Sequence, residues 1–144
     1  MNALKAALVA MLLDTSFPAV AQEVPLYTGN GEPVAYIAVN DELTIYLWGG
    51  QPVAYLDNTL GSLNVYGFNG QHLGWFERGV VWMHDGNAAC AIKEALAVGA
   101  HSEPGKFGKF GKPGKFGKQG APGKPMFTNI FGMMPCSMFL ALGR

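Results

Sequence analysis

Four short stretches of the chain follow one pattern. They are Leu26-Tyr27-Thr28-Gly29-Asn30-Gly31, Ile45-Tyr46-Leu47-Trp48-Gly49-Gly50, Val65-Tyr66-Gly67-Phe68-Asn69-Gly70 and Val81-Trp82-Met83-His84-Asp85-Gly86. Each has an aliphatic residue, then an aromatic, then a glycine four positions after the aromatic, at spacings of 19, 20 and 16 residues. Asn-Gly, Gly-Gly, Asn-Gly and Asp-Gly are the pairs that a two-residue type I′ turn requires, because both positions need positive φ. A second apolar run follows each turn: Pro33–Ile37, Pro52–Leu56, His72–Phe76 and Ala88–Ile92. The pattern predicts an all-β fold of four tandem β-hairpins.

A two-residue turn fixes register, and register fixes faces. One face then carries Tyr27, Val34 and Tyr36, then Tyr46, Trp48, Val53 and Tyr55, then Tyr66, Phe68, Leu73 and Trp75, then Trp82, His84, Ala89 and Ala91. The other carries aliphatic residues and His72, and is small at each equivalent middle position: Ala35, Ala54, Gly74 and Cys90. Small residues in equivalent places imply backbones that meet around a shared centre. Both faces are apolar, so one forms the core and the other must also be covered. The aromatic face is read first as core. Where exposed, Tyr36, Trp48, Tyr55, Trp75 and Trp82 would suit sugar rings or extended peptides.

The runs "GEPVAYI", "GGQPVAYL" and "NGQHLGWF" resemble the four-fold beta-flower domain of small exported bacterial proteins. The likeness covers about residues 22 to 92 and extends to the tail, since members carry a Pro- or Lys-rich repetitive segment and a short apolar end. It implies four β-hairpins around a pseudo-four-fold axis and brings no catalytic or binding residues with it. Tandem aromatic-glycine repeats of the cell-wall-binding kind are a second likeness, with a poorer match in spacing.

Around this domain (22–92) the sequence divides simply. Residues 1–21 read as a signal peptide: Lys5, the apolar run Ala6–Leu13, and small residues ending at Ala21. Periplasmic or secreted localisation follows, and in an oxidising compartment Cys90 and Cys136 are candidates for a disulfide. Residues 93–104 form a linker, with Lys93 to Val98 read as a short helix of good helix formers. Residues 105–125 place glycine at every third position, followed by lysine in six of seven triplets. Residues 126–144 are apolar but interrupted by Asn129, Gly132 and Pro135, a poor membrane span; they read as a tail that returns to cover an open apolar face, and a Cys90–Cys136 bridge would pin it to the small-residue face that carries Cys90.

The zero net charge conceals an opposition. Residues 22–103 carry a balance of −7 and residues 104–144 a balance of +7. The favoured reading is an extended tail lying along its own acidic domain, with its phenylalanines on the aromatic surface. A collagen-like triple helix and a free cationic linker are the alternatives. In the last, Lys106, Lys109, Lys112, Lys115, Lys118 and Lys124 would contact an anionic surface. An exported protein seldom meets nucleic acid, so none is expected. A monomer is expected rather than a trimer.

No catalytic constellation is evident. His84-Asp85 is accounted for by the turn, and His72 falls on the opposite face, so the histidines do not converge. No cofactor and no metal is expected. The sequence points to a structural or interaction protein rather than an enzyme, with a glycan-binding module or a surface-associating protein as alternatives and envelope glycan or an anionic surface as possible partners.

Overall fold

A computed structural model describes residues 22–59 and 61–144; the signal-peptide expectation lies outside the described residues. Eight strands run in order: β1 (Glu23–Tyr27), β2 (Pro33–Ala38), β3 (Thr44–Leu47), β4 (Pro52–Thr59), β5 (Ser62–Gly67), β6 (His72–Glu77), β7 (Val80–Met83) and β8 (Ala88–Ala91). Each pairs antiparallel with its neighbours, and β8 returns to β1 through Tyr27 and Ala91 to close a barrel. Closure leaves no strand edge open for pairing with another chain.

The four predicted turns are present, but their type differs. In each, only the second residue of the pair has positive φ: Gly31 at 89°, Gly50 at 98°, Gly70 at 91° and Gly86 at 88°. The nitrogens of these glycines donate to the carbonyls of Thr28, Leu47, Gly67 and Met83. This is a type I turn followed by a left-handed glycine, a three-residue hairpin loop. The extra loop residue shifts pairing by one, so Tyr27 faces Pro33, Tyr46 faces Pro52, Tyr66 faces His72 and Trp82 faces Ala88. A bulge at Val34, Val53, Leu73 and Ala89 then restores the register, and Leu26 faces Ala35 as a two-residue turn would have it.

The faces therefore need one correction. Deep in the strands they stand as read. Next to the turns they exchange: Val34, Val53, Leu73 and Ala89 join the interior cluster, and His72 passes to the aromatic side. Type I′-like geometry occurs at the opposite rim, where Arg78 and Gly79 have φ of 54° and 80°.

The small-residue face is the barrel interior. Leu26, Ile37, Ile45, Val65, Val81 and Phe76 pack there. The places left by Ala35, Ala54, Gly74 and Cys90 admit part of a plug. Helix α1 (Cys136–Ala141) enters at the turn rim and buries Phe139 and Leu140. Gly143 packs backbone to backbone on Gly67, where an added Cβ would fall 2.2 Å from the Gly143 Cα. Cys90 and Cys136 are bonded, with an S–S distance of 2.02 Å. The bond closes a loop of 46 residues, worth about 4 kcal/mol as restricted unfolded-state entropy.

The helix expected over 93–98 is reduced to a 3₁₀ turn at Lys93–Ala95, and Leu96 is already extended. Distance explains this. The chain leaves β8 at one rim and reaches Gly31 at the other by Gly99. Six helical residues would advance only about 9 Å, against roughly 17–20 Å for a typical strand.

Candidate functional site: the belt around the barrel

The aromatic face is the outer wall of the barrel, not its core, and the tail lies over it. From Val98 to Thr128 the chain passes the four hairpin turns in order. The nitrogens of His101, Phe110, Gln119 and Thr128 donate to the carbonyls of Gly31, Gly50, Gly70 and Gly86 at 2.8, 2.9, 2.8 and 2.9 Å. These donors are nine residues apart each time. Two more bonds keep the same step, Phe107 to the Trp48 carbonyl at 3.3 Å and Phe116 to the Phe68 carbonyl at 2.9 Å. Three Gly-Lys-x triplets therefore span one quarter of the barrel. At about 3.1 Å per residue, an extended nine-residue segment reaches about 28 Å.

The same period explains the turn glycines a second way. A Cβ at Gly31, Gly50, Gly70 or Gly86 would stand 2.4, 2.1, 2.3 or 2.6 Å from the carbonyl oxygens of Gly99, Gly108, Gly117 and Met126. Only glycine lets the belt sit down on the turns.

A polyproline-type chain has three residues per turn, so each triplet position keeps its own face. The lysine row faces the wall. Lys106 and Lys109 reach Glu23 at 2.9 and 2.6 Å, and Lys112 reaches Asp41 at 2.7 Å and Glu42 at 2.9 Å. Lys118 reaches Asp57 at 3.0 Å and Lys124 reaches Glu77 at 3.0 Å. On the way their ammonium groups pass over rings. Lys106 lies 5.0 Å from both the Tyr36 and Trp48 centroids, Lys115 is 4.2 Å from Tyr55, and Lys118 is 5.7 Å from Tyr66.

This corrects the expectation that the tail phenylalanines cover the aromatics. Phe107, Phe110 and Phe116 are 71%, 59% and 70% exposed. A lysine serves the wall better because its stem lies on a ring while its head meets the carboxylates beyond it. Phe127 is the exception, stacking on Trp82 with ring centres 4.6 Å apart.

Electrostatics follow the pairing. Burial pushes the Glu23 carboxyl up, but hydrogen bonds from Lys109 and Lys106 outweigh it and hold it below the usual range. Asp41 has the same balance: burial raises it, and bonds from Lys112 and the Tyr46 hydroxyl bring it below normal. The Lys112 hydrogen bond lowers the exposed Glu42 carboxyl directly.

The ring residues singled out in the sequence are thus covered rather than open. Tyr36, Tyr55, Trp75 and Trp82 are buried, and Trp48 is half-buried with its indole nitrogen donating to the Pro104 carbonyl at 3.1 Å. Further bonds fasten the belt: Tyr66 donates to the Gln119 carbonyl at 2.7 Å, and the His72 backbone donates to the Gln119 side chain at 3.0 Å.

The histidine reading also changes. His72 and His84 do converge, with ring nitrogens 2.9 Å apart, because the bulge at Leu73 turns His72 outward. Asn64 joins them, which no local sequence signal indicated. Among the described residues no group of three or more His, Cys, Asp or Glu is placed to hold a metal.

The sequence profile of the 4-fold beta flower proteins matches residues 24–140, the belt and plug included. No curated protein and no solved structure matches the chain. Four equivalent hairpins, closed into a barrel and matched over most of the sequence, place this chain in the 4-fold beta flower protein family.

Proposed function

We propose that this chain is an exported, non-enzymatic interaction protein, a rigid barrel that presents a belt and cap to a partner in the cell envelope. One observation carries the reading. The exposed large hydrophobic side chains of the described residues all lie between Val98 and Leu142, and none belongs to a barrel strand. Phe107, Phe110, Phe116, Met126, Met133 and Met138 are more than half exposed. The belt is two-faced, with cations turned in to the barrel and apolar groups turned out. Exposed apolar groups gathered on one part of a molecule mark an interaction surface.

Glycan binding on the rings, or contact of the lysines with an anionic surface, would each require the belt to lift. It covers the ring faces and occupies the lysines in ion pairs and ring contacts.

The test is photocrosslinking in the producing cell, with a photoreactive phenylalanine analogue at 107, 110 or 116 and a control at Glu32, which is exposed beside the first hairpin turn. Envelope fractionation accompanies it. Cross-links at the belt positions and none at 32, in the envelope fraction, are expected. A cytoplasmic protein, or equal cross-linking at all positions, would overturn the reading.

A further inference from the structure

The two ends of the barrel differ in kind. Acids gather toward the end away from the four hairpin turns. Glu23 opens β1, Asp41 and Glu42 lie between β2 and β3, Asp57 lies late in β4, and Glu77 closes β6. Large exposed apolar side chains gather at the turn end. Phe110 is bonded to the Gly50 carbonyl and Phe116 to that of Phe68, Met126 lies against Gly86, and the Ile130 carbonyl accepts from the Ala88 nitrogen. Met138 and Leu142 stand one turn apart on the side of α1 turned away from the barrel, while Phe139 and Leu140 fill its mouth.

These side chains protrude from separate segments, the belt, the loop before α1 and α1 itself, and Met126 and Met133 are 90% and 101% exposed. A protein partner would need a matching pocket for each, whereas fluid acyl chains close around any shape. The backbone at this end is already satisfied. The carbonyls of Gly31, Gly50, Gly70 and Gly86, and those of Trp48, Phe68 and Ala88, accept N–H groups of the belt and cap. Lipid tolerates backbone whose polar groups are bonded within the protein. The ionised side chains at this end are Glu32, Asp85 and Arg144, and the Asp85 carboxylate accepts from Asn87 within its own turn. The strands have four to eight residues, fewer than the about 9–11 that cross a bilayer, and a charged belt lies over the wall. The geometry suits resting on a membrane rather than crossing it.

We propose that the turn end docks on a lipid bilayer, with its apolar side chains in the boundary between headgroups and acyl chains. This names the partner for the reading above, on which it rests. Burial to about 5–10 Å takes in the protruding side chains and leaves the acidic end in water. Phe116 is held at the third hairpin by Phe68, and Leu142 and Arg144 by Asn69. In the four-fold order that hairpin stands across the barrel from the first, which carries Glu32. An ionised carboxylate is costly in lipid, so the third hairpin sits lowest, Glu32 stays in water and Arg144 reaches back to the headgroups. Residues 22–144 sum to zero charge, so the apolar contacts, not attraction to anionic lipid, hold the molecule there.

Flotation with phosphatidylcholine vesicles tests this, using the chain purified from the producing cell with its disulfide intact. Binding that high salt does not weaken is expected. Phe116→Glu combined with Met138→Glu should weaken it by about ten-fold or more. Asn40→Glu adds the same kind of charge to an exposed loop at the far end and should leave binding unchanged. Denaturant midpoints check that each variant folds. No flotation, equal flotation of the double variant, or flotation confined to anionic vesicles and abolished by salt would overturn the proposal; the last would point to lysines released from the belt. A dimer in light scattering that the double variant dissolves, with no flotation, would give this end to a second copy instead. Envelope cross-links at 107, 110 or 116 in a chain that does not float would overturn the lipid proposal and leave the reading above standing.

Discussion

Deleting one triplet, Gly111-Lys112-Pro113, tests whether the nine-residue step is set by the barrel. Phe110 is bonded to Gly50 in the second hairpin and Phe116 to Phe68 in the third. Six residue steps join them, about 19 Å at 3.1 Å per residue. With three removed, even a fully extended chain reaches only about 11 Å. Both ends of the belt are held, by β8 at Ile92 and by the disulfide at Cys136, so sliding cannot recover the lost length. At least one quarter must come away. That breaks two backbone hydrogen bonds at about 0.5–1.5 kcal/mol each, together with lysine pairs worth about 0–1 kcal/mol each. The expected loss is about 2–4 kcal/mol by the same values. Denaturant unfolding measures the total, and amide hydrogen exchange at Phe110, Phe116, Gln119 and Thr128 shows which anchors opened. Unchanged stability with all four amides still protected would mean the belt has slack, and the nine-residue match would carry no mechanical meaning.

Replacing both cysteines by alanine should lower unfolding free energy by about 4 kcal/mol, read from denaturant midpoints, with larger hydrogen exchange in α1 than in β4 or β5. Gly70→Ala places a methyl at φ 91° and 2.3 Å from the Gly117 oxygen; a cost of about 1–3 kcal/mol and loss of protection at Gln119 are expected, with the barrel strands still protected. Stability should rise with pH across the acidic range. His72 has a folded value near 4, below its unfolded 6.5, so its contribution is lost as pH falls between those values. Glu23, Asp41 and Glu42 are also depressed, so theirs is full above the ordinary carboxylate range and disappears below it. Unfolding midpoints from pH 7 to 3 check this; a midpoint that rises on acidification would refute the pairing.

The aromatic-to-glycine interval made the hairpins legible, since Asn-Gly and Asp-Gly have few uses between two apolar runs. Their turn type was not legible. A two-residue turn and a three-residue turn followed by a bulge give the same pairing deep in the strand, as Leu26 opposite Ala35 shows. They differ only at residues such as His72, where the difference decides whether two histidines meet. The opposition of charge pointed to a tail on its own domain, yet could not say which side chains faced inward. Lysine and phenylalanine recur with one period, and only the carboxylates Glu23, Asp41, Asp57 and Glu77 along the wall separate them. That the apolar end covers the small-residue face was legible from Cys90 on that face and Cys136 in the tail; its helix was not, because a six-residue helix has little intrinsic stability and forms here as Phe139 and Leu140 fill the barrel mouth.

A belt of near-identical triplets has a weak sense of phase. Slide it by three residues and a glycine still meets Gly50 and another Gly70, while lysines still meet rings and acids. Local contacts therefore do not tell the chain where to stop. Unrepeated features do so, among them the exit from β8, the Gln119 side chain on the His72 backbone, the ring stack of Phe127 on Trp82, and the bond from Cys136 to Cys90. A misphased belt would collect surplus length at one end, where it can loop out and reptate until the cysteines come within reach. Repetition in the middle makes that search shallow, and uniqueness at the ends makes it finish.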